Sequence, residues 1–186
     1  MCDRQIKTGA GPVTNVDKNH KDSERVLVLG LGNILLKDEG VGVHVVEELQ
    51  KRDLTGNVEV IDGGTAGLDI LLSQDGTYKL IVIDAIRAGR KPGAIYEARF
   101  KTGEIDRLTK AFKGKKRLKI SLHQVGLIDA LMVAERTGCA PSEIIVIGVE
   151  PREMDEGLGL TDQVKQRIPE IINTVLEEIE DAVHER

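Results

Sequence analysis

The apolar residues of this chain fall into two alternating periods. Four short, largely aliphatic runs, at 26–29, 58–61 (with Glu59 inside it), 80–83 and 144–149, have the length of strands buried on both faces of a parallel sheet. Elsewhere apolar residues recur at spacings of three and four. Residues 40–52 carry Val41, Val45, Val46 and Leu49 on one face, and residues 124–137 carry Val125, Ile128, Leu131 and Met132 before stopping at Gly138. The longest helical stripe comprises Val164, Ile168, Ile171, Val175, Ile179 and Val183, and Pro169 within it predicts a kink or a fresh start near Ile168. Residues 94–99 come too soon after the third run for a helical crossover and follow a Lys91-Pro92-Gly93 turn signal. That spacing predicts an antiparallel strand at a sheet edge.

Strands alternating with helices predict a three-layer α/β/α sandwich around a mixed, mostly parallel five-stranded sheet. A chain of 186 residues suits one such domain over 24–186, with the polar residues 1–23 expected as a disordered N-terminal extension. The chain is 40% hydrophobic but has only two Phe, two Tyr and no Trp, so the core must be built from Val, Ile, Leu and Ala. Cys2 and Cys139 are far apart and form no C-x-x-C, which suggests neither a disulfide framework nor a thiolate metal site and fits a reducing cytoplasm. No apolar stretch approaches the ~20 residues of a membrane span, and residues 1–23 lack the apolar core of a secretion signal. Of the net charge of −5, residues 101–119 hold a local +6 and the remainder −11. An acidic body argues against general nucleic-acid binding. The basic segment reads either as a solvated flap or as an arm that steers a protein partner.

In open α/β sheets ligands bind beyond the carboxyl ends of the strands. Glu39 after the first strand, Asp84 closing the third and His123 just before a helix should therefore gather at one edge. Two carboxylates and an imidazole suit a borderline divalent ion such as nickel or zinc better than calcium. Each residue also has a plain structural reading, as a turn-capping Asp or a surface His. Gly30 and Gly32 evoke a dinucleotide fingerprint, but its third glycine would fall at Leu35 and no Lys-Ser or Lys-Thr pair follows. Asp38 reads as a helix N-cap or as a catalytic partner. Asp62-Gly63-Gly64-Thr65 reads as a turn, with Thr65 capping a helix over 68–74, or as a main-chain grip on an extended substrate. His44 lies off the face of Glu39, and His20 and His184 are expected in the tails, so none has an assigned role. No Gly-x-Ser-x-Gly elbow, His-Glu-x-x-His pair or cysteine nucleophile motif is present.

Four blocks carry a family resemblance: Gly32-Asn33-Ile34-Leu35-Leu36-Lys37-Asp38-Glu39-Gly40-Val41-Gly42, Asp62-Gly63-Gly64-Thr65-Ala66-Gly67, Ile83-Asp84-Ala85-Ile86 and Ser121-Leu122-His123-Gln124-Val125-Gly126-Leu127. With Gly148-Val149-Glu150-Pro151, they resemble in content and order the motifs of the hydrogenase maturation proteases, which trim the C-terminal tail of the nickel-iron hydrogenase large subunit. One departure is Asp38-Glu39, where some relatives have two aspartates. The resemblance implies an endopeptidase that acts once nickel has been inserted. The nickel would arrive on the precursor, held by the precursor's thiolates, with Glu39, Asp84 and His123 completing its coordination. Asp38 or Asp84 would take a proton in an aspartyl-type hydrolysis, with no organic cofactor. Two alternatives are a nickel-sensing chaperone that inspects the precursor without cutting it, and a metal-independent small-molecule hydrolase.

Overall fold

Within each strand, successive side chains leave on opposite faces, and here both faces are apolar, so the sheet can be stable only between two helical layers. The computed structural model describes residues 25–54, 56–66, 77–105 and 122–184, with backbone alone for 122–125 and 183–184. Its five strands, β1 (Arg25–Leu31), β2 (Val58–Gly64), β3 (Thr77–Ala85), β4 (Ile95–Lys101) and β5 (Glu143–Val149), lie in the order β2-β1-β3-β5-β4. All neighbours are parallel except β4, which runs antiparallel to β5 at the edge. Val26, Val28, Ile81, Ile83, Ile145 and Ile147 face one side, against α1 (Val41–Leu49) and a C-terminal helix. Leu27, Leu29, Leu80, Val82, Ile144 and Val146 face the other, against Leu127, Ile128 and Leu131 of α2 (Leu122–Thr137). The sandwich and its mostly parallel sheet are those expected.

Element ends differ from expectation for local reasons. The C-terminal stripe is split into a single turn, α3 (Asp162–Lys165), and a fresh helix, α4 (Ile168–His184), placing Pro169 in a first turn where its missing N–H removes no helical bond. β3 begins at Thr77, earlier than its apolar run, because Lys79 is buried with its charge satisfied. Its Nζ donates to the Glu178 carbonyl and carboxylate at 2.8 Å each and lies 3.4 Å from Glu143. Arg99 pairs with both glutamates from the solvent side.

Asp62, Gly63 and Gly64 form the end of β2 instead of a free turn. The β1–β2 register skips Gly63, and Asp62 Oδ1 accepts a 2.8 Å bond from the Gly64 amide, whose φ of +44° suits glycine. A turn follows at Thr65, while the helix expected over 68–74 and the basic segment from 106 to 119 lie outside the described residues.

Candidate functional site at the carboxyl edge of the sheet

The first helix reaches the sheet edge because glycines let it. A Cβ on Gly42 would lie 2.2 Å from the Ile83 carbonyl oxygen and 2.4 Å from that of Leu31, so only glycine allows α1 to start directly on the ends of β1 and β3. At Gly32, with φ +135°, a Cβ would meet the Glu39 carbonyl oxygen at 1.8 Å. The turn between these glycines is thereby folded over the sheet. Residues Lys37–Gly40 form a 3₁₀ turn packed against β3, which carries Asp84 one residue before its end. Glu39 and Asp84 are thus brought to one carboxyl edge, both buried.

The adjacent acids of this turn have opposite surroundings. Asp38 is fully buried, and its carboxylate accepts four hydrogen bonds: from the amides of Arg152 (2.9 Å), Glu153 (3.1 Å) and Thr161 (2.7 Å) and from the Thr161 hydroxyl (2.8 Å). The helix cap expected of Asp38 is not formed, for α1 is preceded by Gly40 and no side chain caps it. Instead Asp38 ties the loop after β5 to the turn after β1. Glu39, only 8% exposed, leaves Oε2 with no hydrogen-bond partner among the described residues. A buried, unpaired carboxylate oxygen is costly, and such a group is commonly retained because a cation or proton completes it. Asp84 Oδ1 accepts the Ala85 amide at 2.8 Å.

His123 falls in the first turn of α2, which starts at Leu122, two residues earlier than the apolar pattern indicated. Its side chain is outside the description, and among the described residues no three His, Cys, Asp or Glu side chains gather to hold an ion. His44 points elsewhere: Nδ1 lies 3.3 Å from Glu47, and the ring borders a cavity of about 560 Å³ shared with Arg52, Leu160 and Lys165 that includes neither Glu39 nor Asp84.

Glu150, quoted only as part of a motif, proves to organise the segment after Asp84. Its buried carboxylate accepts the amides of Ala88 (2.9 Å), Gly89 (3.1 Å) and Arg90 (3.1 Å) and the Tyr96 hydroxyl. Burial pushes the Glu150 carboxyl up, but the Tyr96 hydroxyl and the three amides outweigh it and hold it below the usual carboxylate range. Burial, and then the bond to Glu150, raises the Tyr96 phenol. The available signal was a glutamate directly after the apolar run 144–149, where an exposed acid would be out of place.

The sequence profile described as hydrogenase maturation protease matches residues 43–178. The chain is 39% identical to the Hydrogenase 2 maturation protease of Escherichia coli K12 over 82% of its own length and 88% of that protein. It is 38% identical to the hydrogenase expression/formation protein HupD of Thiocapsa roseopersicina, over 84% and 68% respectively. Among solved structures, the hydrogenase maturating endopeptidase HybD of E. coli superposes with a TM-score of 0.74 at 38% identity, covering 85% of this chain and 93% of that one. The [NiFe] hydrogenase maturation protease HybD of Thermococcus kodakarensis gives 0.66 at 29% identity, covering 83% and 99%.

Proposed function

Since the chain belongs to the hydrogenase maturation protease family, we propose that it removes the C-terminal extension of a nickel-iron hydrogenase large-subunit precursor after nickel has been inserted. The observation that carries this reading is the buried Oε2 of Glu39, without a hydrogen-bond partner among the described residues, in a turn packed against the strand that carries Asp84. Nickel enters as part of the substrate, held by the precursor's thiolates, and Glu39, Asp84 and His123 add oxygen and nitrogen donors to it. A borderline ion accepts such a mixed set. Recognition then requires metal, so an unloaded precursor is passed over.

For hydrolysis, the substrate's nickel polarises the scissile carbonyl or lowers the pKa of a water. Asp84 is our candidate for the proton acceptor. Asp38, the other acid considered, already has both oxygens engaged by four donors and serves better as the anchor of the loop. No helix among the described residues is long and apolar enough to cross a membrane. We place the reaction in the cytoplasm, where an unpaired, exposed Cys139 is at home.

Processing assays on His123→Ala and Glu39→Gln test the assignment. Both variants should keep the wild-type far-UV dichroism and lose precursor cleavage, because each removes one of three ligands without emptying the core. Normal cleavage by either variant removes that residue from the site. A nickel-sensing chaperone would bind the loaded precursor and release no peptide from it.

A further inference from the structure

Four large hydrophobic side chains are exposed among the described residues, and three of them, Ile34 (42%), Leu35 (60%) and Leu158 (79%), lie on two loops that are bonded to each other. Single exposed aliphatics are ordinary, but three on one pair of joined loops are not. The loops meet at a parallel bridge between Leu36 and Gly157, where the Lys37 amide donates to the Gly157 carbonyl (3.0 Å) and the Gly157 amide to the Leu35 carbonyl (2.9 Å). Leu35 and Leu158 flank this bridge. Asn33 Oδ1 accepts the Leu35 amide at 3.0 Å, Lys37 pairs with Glu153 at 2.7 Å, and the Asp38 carboxylate fastens the two ends of the second loop. The backbone therefore holds these side chains out in water, and nothing among the described residues covers them. Ile34 links the patch to the site: a Cβ on Gly40, the residue after Glu39, would meet the Ile34 Cα at 2.9 Å.

We infer that Ile34, Leu35 and Leu158 form a preformed apolar seat for aliphatic side chains of the hydrogenase large-subunit precursor, in the extended segment next to the scissile bond. The proposal rests on the processing reading above. Proximity to Glu39 selects this occupant, since Ile34 lies against Gly40, the residue that follows that carboxylate. A second copy of the chain fits less well, because three side chains fall short of the ~800 Å² per partner that stable interfaces bury. The bridge and the Asp38 anchor fix the seat before binding, so little ordering cost is left to the complex.

The test compares wild type with Leu35→Ser, Leu158→Ser and the double variant on nickel-loaded precursor, measuring Kd by biolayer interferometry and cleavage against precursor concentration. Both leucines are exposed, so the melting temperature should not move. Each single change should weaken binding and raise KM roughly tenfold, and the double change by more, with kcat at saturation retained. Unchanged Kd and KM with cleavage intact would overturn the seat and leave the processing reading standing. Weakened binding in the variants, with a wild type that never cuts, would sink the processing reading and leave the seat. If the wild type neither binds nor cuts the precursor, both fail. Sedimentation showing a wild-type dimer that the double variant dissolves would make the patch a self-association face and overturn the proposal.

Discussion

Asp38 and Glu39 are adjacent, carry the same charge and are both buried, yet one accepts four hydrogen bonds and the other leaves an oxygen unpaired among the described residues. Their substitution should therefore separate stability from recognition. Asp38→Asn turns an acceptor into a donor facing donors, which should cost about 2 kcal/mol and lower the melting temperature by about 5 °C. Glu39→Gln replaces a buried carboxylate whose Oε2 has no partner among the described residues and should leave the melting temperature level or higher while binding of nickel-loaded precursor is lost. Scanning calorimetry and a binding assay on both variants check this pair, and the reverse pattern would mean that the roles are exchanged. That an acidic pair precedes the first helix was legible in the sequence. The division of labour was not, since the partners of Asp38 stand 114, 115 and 123 residues further on.

At the scale of elements, the strands were legible wherever they were continuously apolar and illegible at their ends. β3 was read from Leu80 because Lys79 looks like a boundary, whereas it is neutralised inside the fold by Glu178 and Glu143. Lys79→Met would leave those carboxylates to Arg99 alone, and urea denaturation should show a loss of about 3 kcal/mol. Arg99→Ala should cost less, its side chain being 44% exposed. The start of α1 was likewise placed within one residue, but its closeness to the sheet shows only in three dimensions. Gly42→Ala would push α1 away from the carbonyls of Leu31 and Ile83, costing on the order of 2 kcal/mol. It should also impair processing, because Glu39 moves with the helix. A variant as stable and active as wild type would show that the contact is soft.

For the whole molecule, the network around Glu150 sets an acid limit. A carboxyl held below its ordinary value of 4.5 contributes stability that is present above that value and lost as pH falls through the lower folded one. Tyr96 works in the other direction: raised from 10.0, it contributes below that value, and the contribution is lost as pH rises through its folded value. Glu150→Gln should flatten the acid limb of a stability-against-pH profile, with the segment after Asp84 loosened at neutral pH. The three-layer sheet was readable from periodicity alone, since continuous apolar strands need cover on both faces. The seat formed by Ile34, Leu35 and Leu158 was not, because it depends on one bridge between loops about 120 residues apart. Intact-mass spectrometry of a large-subunit precursor, with and without nickel and before and after incubation with the wild-type protein, tests the proposed activity most directly. Nickel-loaded precursor should lose the mass of one C-terminal peptide while the nickel-free form keeps its full mass. An unchanged mass in the loaded form, or equal cleavage of both forms, would contradict nickel-gated processing at Glu39, Asp84 and His123.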